Sequence, residues 1–125
     1  MIKSNITNNI SIGVDIEQTA RFIKKKINSP FLKRIYTSEE LWYCFKKSRP
    51  SESLAGRFAA KESARKALAQ FIERPIDYKD IEIINDGSGI PTISVKNGLK
   101  NKFNFSLSIS HIKNTAIAVV VITLK

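Results

Sequence analysis

The segment from about Ser51 to Phe71 restricts the possible folds most, because its many alanines are typical of one long helix. At about 100° per residue, charged and apolar side chains share one third of the circumference of this helix. They are Leu54, Phe58, Lys61, Glu62, Arg65 and Leu68. An unpaired buried charge destabilises a fold strongly. This sector therefore faces an interface or a cleft, or its charges pair locally.

Several other segments alternate between apolar and polar residues and predict strands. Ile10, Ile12, Val14 and Ile16 form one apolar face, with Asp15 on the polar face of the same strand. Residues 81–84 and 91–95 predict two strands around a glycine-containing turn, and residues 103–110 and 115–124 predict a hairpin. With one strand first, helices early and strands late, the chain is predicted to be an α+β fold forming a single domain over residues 1–125.

Two shorter helices are predicted before the long one. Gln18 to Asn28 is interpreted as a helix closed by Pro30, and Thr37 to Glu40 has a capping-box pattern that opens a helix through about Phe45. Residues 1–9 precede the first predicted strand and are predicted to be a frayed terminus.

The positive charge is concentrated in one part of the chain. Of a net charge of +10, residues 21–66 contribute 13 Lys or Arg against four acids. This asymmetry favours a polyanionic partner: a nucleic acid, a phosphorylated cofactor, an anionic membrane or an acidic protein. A solvated basic face without a partner is the alternative.

The single Cys44 excludes an internal disulfide framework and suits a reducing compartment. The first nine residues lack the apolar stretch of a secretory signal, and the apolar run 116–122 is too short to span a bilayer. We therefore expect a cytoplasmic protein.

Few residues suggest chemistry by themselves. Asp15 and Glu62 are oxygen ligands suited to magnesium, although Glu62 could equally form a helical ion pair with Lys66. His111, the only histidine, follows a strand of alternating serines and is either a turn residue or a catalyst. No phosphate-binding glycine-lysine loop, dinucleotide fingerprint or zinc-ligand cluster is present. From these residues the chain handles phosphate or an acidic partner, and its reaction stays open.

Three segments, taken in order, resemble the holo-(acyl-carrier-protein) synthase family of 4'-phosphopantetheinyl transferases. The first is Ile12-Gly13-Val14-Asp15-Ile16 with Arg21-Phe22 following. The second and most specific is Leu54-Ala55-Gly56-Arg57-Phe58-Ala59-Ala60-Lys61-Glu62-Ser63 with Lys66-Ala67-Leu68. The third is Ser108-Ile109-Ser110-His111 with the strand that begins at Ala116. The likeness covers about residues 10–122.

The resemblance implies a 4'-phosphopantetheinyl transferase fold, with a mostly antiparallel sheet packed on a long helix and a homotrimer whose sites lie at subunit contacts. It implies Mg²⁺ ligands at Asp15 and Glu62, and coenzyme A contacts at Arg57, Lys61, Lys66, Gly89, Pro91, Ser110 and His111. It also implies that Arg21, with Lys24 and Lys25 beside it, meets an acidic apo-acyl-carrier protein. No nucleic acid or membrane is expected as a partner.

The implied reaction moves phosphopantetheine from coenzyme A to a carrier serine, in support of fatty acid or related biosynthesis. Lys61 and Lys66 would stabilise the leaving nucleotide, and Glu62 or His111 would accept the serine proton. The family's glycine-rich stretch is replaced here by Ala69 to Pro75, so we expect the signature helix to continue for another turn. The rival functions are a non-catalytic module that docks carrier proteins and one that binds nucleic acid. The basic run lacks interleaved aromatic residues, which disfavours the latter.

Overall fold

A long helix crosses a three-stranded sheet in the computed structural model, which describes residues 2–96 and 98–125. The helices are α1 (Pro30–Ile35), α2 (Ser38–Phe45) and α3 (Pro50–Leu68). The strands are β1 (Ile10–Gln18), β2 (Ile81–Asn85), β3 (Pro91–Val95), β4 (Phe103–Ile112) and β5 (Thr115–Leu124). Within the described ranges, no helix has the length and apolar character needed to cross a membrane.

All strand pairs are antiparallel. The larger sheet has the order β1-β5-β4, so the first strand lies beside the last, and β2 and β3 form a separate two-stranded ribbon. The hairpin between β4 and β5 closes at the pair Ile112 and Thr115. This arrangement confirms the α+β prediction and the strands predicted in the second half of the chain.

Strand β1 turns its polar face, not its apolar face, toward helix α3. A Cβ atom on Gly13 would lie 1.9 Å from the carbonyl oxygen of Ser63, so only glycine permits this approach. Two residues earlier, the Ser11 hydroxyl donates to the carbonyl of Ala67 at 2.8 Å. The close contact sets the distance between strand and helix and places Asp15 on the helix side of the sheet.

The opposite face of β1 is exposed and apolar. Ile10, Ile12, Val14 and Ile16 are 48–62% exposed. Half-buried valines and isoleucine of β5 continue this surface, because Val121, Val119 and Ile117 pair with alternate residues of β1. A contiguous apolar patch of this kind marks an interaction surface.

Two hydrophobic clusters lie on helix α3. Its second half packs alanines and Leu68 against the inner residues of β4 and β5 and against the β2–β3 ribbon. Its first half packs Leu54 and Phe58 against α1, α2 and Phe22. Small side chains on the helix let the sheet approach closely.

Two helix predictions were wrong in their extent. Residues 18–28 contain only a 3₁₀ turn, Thr19–Phe22, because the chain becomes extended at Ile23 and Lys24 adopts a positive φ of 69°. Pro30 begins a helix instead of closing one, as suits its fixed φ and missing N–H. Helix α3 ends at Leu68, without the extra turn expected from the missing glycine-rich stretch. The capping box at Thr37 and Glu40 is confirmed.

The N-terminal segment is docked, in contrast to the expectation of a frayed terminus. Ile2 forms a bridge with Ile72, and Ile2 and Ile6 pack against the core. The ammonium of Lys3 donates to the carbonyl of Ala69 at 2.8 Å, satisfying a group at the C-terminus of α3. Apolar side chains and this cap therefore fasten residues 2–6 to the end of the long helix.

Candidate active site

Asp15 meets helix α3 at the edge of the sheet. Lys66 Nζ lies 3.1 Å from Asp15 Oδ1 and donates to the carbonyl of Val14 at 3.0 Å. The Asp15 side chain is 13% exposed, whereas the Lys66 side chain is 54% exposed. The other carboxylate oxygen, Asp15 Oδ2, is buried without a hydrogen-bond partner. One oxygen of this carboxylate thus has a partner within the chain, and the other has none.

Glu62 lies one helical turn before Lys66, so both project from the same side of α3. Its Oε1 accepts a hydrogen bond from the Tyr78 hydroxyl and lies 3.6 Å from the Arg65 guanidinium. Since Lys66 contacts Asp15, the structure brings Asp15 and Glu62 to the same edge of the helix. We call these residues, Asp15, Glu62 and Lys66, the carboxylate edge.

Glu17 adds a third carboxylate near this edge, two residues along β1 from Asp15. Burial, followed by the hydrogen bond with and the charge of Asp15, raises the pKa of Glu17 to about 7, while Arg21 opposes the rise. Arg21 donates to Glu17 Oε1 at 3.1 Å. Two neighbouring ionised carboxylates repel each other, which favours the neutral form of Glu17.

A cleft of about 390 Å³ opens on the other side of α3. Its lining includes Arg57, Pro91 and His111, three of the residues implied by the resemblance. It also includes Lys47 and Arg49, so cations outnumber the single acid, Glu52. We call this the basic cleft. Its charge suits a phosphorylated ligand.

Arg57 is fixed in the cleft by its neighbours. The residue is 5% exposed, its guanidinium lies 4.0 Å from the centre of the Tyr43 ring, and it donates to the side-chain oxygen of Asn85. Asn85 in turn donates to the carbonyl of Gly89 at 2.8 Å, which ties the β2–β3 turn to the cleft. Arg57 Nε is buried without a partner.

The two groups of residues lie on roughly opposite sides of α3. Ser53, Gly56 and Arg57 face the basic cleft, whereas Glu62 and Lys66 project about half a turn away. Ser110 is separated in another way, because alternation along β4 places it on the outer, exposed face of the sheet beside Ile117. A single chain therefore does not collect all the implied site residues in one pocket.

Lys61 does not lie where the resemblance implies. Its side chain is fully buried, with Nζ 2.6 Å from Glu40 and hydrogen-bonded to the carbonyls of Ile35, Tyr78 and Ile81 at 2.7–2.9 Å. Burial lowers the pKa of Lys61 and Glu40 opposes this shift. Four acceptor oxygens around one ammonium leave no donor for a phosphate, so the expected contact is wrong on physical grounds.

The residues expected to dock the carrier protein lie over aromatic rings. The Arg21 guanidinium lies 4.9 Å from the centre of the Phe58 ring, and Lys25 Nζ lies 4.9 Å from that of Phe31. Arg21 is half-exposed, and Lys24 and Lys25 are exposed. Arg21 and Lys25 are therefore held against aromatic rings while remaining accessible to a partner.

Sequence reasoning missed several residues of these sites. Lys47 and Arg49 belong to the basic stretch 21–66 but were not predicted to be site residues. Their position just before a predicted helix, within a cationic run, is the signal that could have indicated them. Glu17 stands two residues from Asp15, and period-2 alternation could have placed it on the same face. Nothing in the sequence indicated that Tyr78 contacts Glu62.

Comparisons with known proteins identify the family. Residues 11–120 match the family model described as the 4'-phosphopantetheinyl transferase superfamily. The chain is 42% identical over 118 residues to a holo-[acyl-carrier-protein] synthase of Chloroherpeton thalassium, covering 90% of this chain and 97% of that protein. The chain therefore belongs to the 4'-phosphopantetheinyl transferase superfamily.

Solved structures agree with this assignment. A holo-(acyl-carrier-protein) synthase from Bacillus anthracis, in complex with CoA (3',5'-ADP), superposes with a TM-score of 0.76 at 36% identity, covering 92% of this chain and 96% of that one. A Helicobacter pylori holo-[acyl-carrier-protein] synthase in complex with coenzyme A gives a TM-score of 0.76 at 37% identity, covering 90% and 99%. The likeness extends over nearly the whole fold.

Proposed function

We propose that this chain is a holo-[acyl-carrier-protein] synthase, which transfers 4'-phosphopantetheine from coenzyme A to a serine of an apo-acyl-carrier protein. The observation that carries the proposal is the family match over residues 11–120, supported by relatives of that name that align along most of their length. The basic cleft and the carboxylate edge supply the two kinds of group that the reaction needs, phosphate binders and carboxylates.

Asp15 and Glu62 would hold a magnesium ion. The buried, unpartnered Asp15 Oδ2 is a fitting ligand for a hard cation, which needs only one or two carboxylates when phosphate oxygens and water complete the octahedron. No group of three or more His, Cys, Asp and Glu that could enclose a metal occurs among residues 2–96 and 98–125. When bound, magnesium neutralises charge on the pyrophosphate.

The chain's own residues then bind and orient the reactants. Lys66 would lie near the departing phosphate, and Arg57, with Lys47 and Arg49, would bind the phosphates of the nucleotide end. A bond forms between the serine oxygen and the β-phosphorus, and the bond from that phosphorus to the oxygen of 3',5'-ADP breaks. Glu62 or His111 would accept the serine proton.

A homotrimer would complete the site. The carboxylate edge and the basic cleft lie on different sides of α3, so one chain's edge can meet the cleft, Gly89 and Ser110 of a neighbour. The exposed apolar residues of β1 provide a surface for that contact. The carrier protein would dock on Arg21, Lys24 and Lys25, because their charges suit an acidic partner. The cytoplasmic location stays a prediction.

Incubation with coenzyme A, magnesium and an apo-acyl-carrier protein, followed by weighing the carrier, tests the proposal. We expect a mass gain of one phosphopantetheine that disappears with EDTA and with a carrier whose acceptor serine is alanine. No gain with several carriers, despite their binding, would instead identify a docking module. Tight, salt-dependent binding to nucleic acid without transfer would identify a nucleic-acid module.

A further inference from the structure

The hydroxyl of Tyr78 contacts the proposed metal ligand Glu62 directly. Tyr78 begins the 3₁₀ turn Tyr78–Asp80 that precedes β2, and it donates to Glu62 Oε1, 16 residues earlier in the chain. Arg65 also approaches Oε1, at 3.6 Å. Both contacts involve the same oxygen, and the described part of the chain gives Oε2 no partner.

Tyr78 is held from three directions. Its carbonyl accepts a hydrogen bond from the buried Lys61 ammonium at 2.9 Å. Its ring lies 5.5 Å from the ring of Phe58, and the Arg65 guanidinium stands 4.2 Å from the ring centre. A side chain fixed in this way loses little further entropy when it holds a carboxylate.

The phenol is a donor at neutral pH. A tyrosine hydroxyl ordinarily titrates at about pH 10, so at neutral pH it carries its proton and donates to the Glu62 carboxylate. Without this donor, the partly exposed Glu62 carboxylate could rotate about its last side-chain bond. An ordered carboxylate binds a cation more tightly than a mobile one.

We propose that Tyr78 is a positioning residue that fixes Glu62 through Oε1 and so presents Oε2 to the divalent cation. This inference rests on the proposed function. Removal of a hydrogen-bond partner from a metal-ligating group lowers metal affinity about 10–100-fold. The Tyr78→Phe variant should therefore bind Mn²⁺ about tenfold more weakly or worse and need correspondingly more Mg²⁺ for transfer.

Mn²⁺ binding to the metal-free chain, followed by electron paramagnetic resonance, provides a measurement independent of transfer. Tyr36→Phe is the matched control, because it removes a buried hydroxyl that donates to the carbonyl of Leu54 and touches no proposed ligand. It should lower thermal stability and leave Mn²⁺ affinity unchanged. In a Glu62→Gln background, Tyr78→Phe should have no additional effect on Mn²⁺ affinity.

Two further side chains at position 78 separate hydrogen bonding from packing. p-Fluorophenylalanine fills the volume of the hydroxyl without donating and should behave like phenylalanine, even if the smaller phenylalanine destabilised the fold. p-Aminophenylalanine keeps a donor at the same ring position and should restore affinity. Equal Mn²⁺ affinity for the tyrosine and p-fluorophenylalanine forms would overturn the inference.

The proposed function and the role of Tyr78 are tested by different outcomes. If the natural chain performs no transfer with coenzyme A, Mg²⁺ and apo-carrier, the enzymatic proposal is wrong irrespective of Tyr78. If the natural chain transfers the group and the p-fluorophenylalanine form keeps full metal affinity, only the role of Tyr78 is wrong.

Discussion

Helix α3 carries two lysine–carboxylate pairs that differ in almost every physical respect. Lys61 and Glu40 are fully buried, 2.6 Å apart, and surrounded by backbone groups that satisfy both charges. Lys66 and Asp15 are 3.1 Å apart at an open edge, where Lys66 is half-exposed and one Asp15 oxygen has no partner. Both charges of the first pair have their partners within the chain, whereas the second pair leaves one carboxylate oxygen without a partner.

This difference separates a structural role from a binding role. In the buried pair, Glu40 also caps α2 by accepting from the Thr37 N–H and bonds the Ile83 N–H, so the pair joins α2, α3 and β2. A ligand could only break these contacts. At the carboxylate edge, a cation would fill an unsatisfied position without displacing a structural bond.

Breaking the buried pair should have the largest effect, and the effect should be on stability. Lys61→Met leaves Glu40 charged and buried, which we expect to lower the free energy of unfolding by about 3–5 kcal/mol. Urea denaturation measures this loss. Lys66→Met, a matched change on the same helix, should lower it by less than about 1 kcal/mol, because exposed pairs contribute little. Equal losses for the two variants would show that the distinction between the pairs is wrong.

Asp15→Asn should produce the next largest effect, this time on activity. If Asp15 is one of the two proposed metal ligands, its loss should reduce transfer at ordinary magnesium concentrations by about 100-fold or more, or roughly 2.7 kcal/mol. Stopped assays that weigh the carrier give the rate, and urea denaturation should show little change in stability. Normal turnover of this variant without added magnesium would contradict the role assigned to Asp15.

Glu17→Gln should give a smaller, pH-dependent effect without divalent cations. The pKa of Glu17 in the folded state is raised to about 7 from 4.5. The folded state therefore favours the protonated carboxyl, and the free energy of unfolding of the natural chain falls as pH rises through 7. Glutamine does not ionise. The free energy of unfolding of the variant, measured relative to that of the natural chain, should therefore be about 1–2 kcal/mol higher at pH 8 than at pH 5.

Urea midpoints at these two pH values, with EDTA present, measure the difference. Glu39→Gln, an exposed change at the start of α2, is the control for the loss of a carboxylate, and its own difference between the two pH values is subtracted. A Glu17 variant that follows the natural chain at both pH values would mean that burial and Asp15 do not raise the pKa of Glu17.

Much of the fold follows from local sequence patterns. The capping box at Thr37, the alanine-rich α3 and the alternation along β4 predict their elements because each depends on neighbours in the chain. The segment after Gln18 does not follow from its local pattern, because the chain becomes extended at Ile23 and Pro30 begins a helix.

The candidate site was predictable only in part. The resemblance marked Asp15, Glu62 and Arg57, and the structure places each on the edge or in the cleft. The resemblance could not show that Lys61 is buried and Lys66 exposed, because burial depends on which residues the fold packs against each lysine. Residues distant in sequence, such as Glu40 and Tyr78, decide that outcome.

The missing side chain of Gly13 has a consequence for how this molecule could be altered. The backbone of β1 lies against the carbonyl of Ser63, and the same stretch of strand and helix carries Asp15 and Lys66. Even a methyl group at position 13 would act as a wedge between the two elements. The spacing within the carboxylate edge therefore depends on the absence of a side chain at Gly13, and a substitution there would disturb it without changing any charged residue.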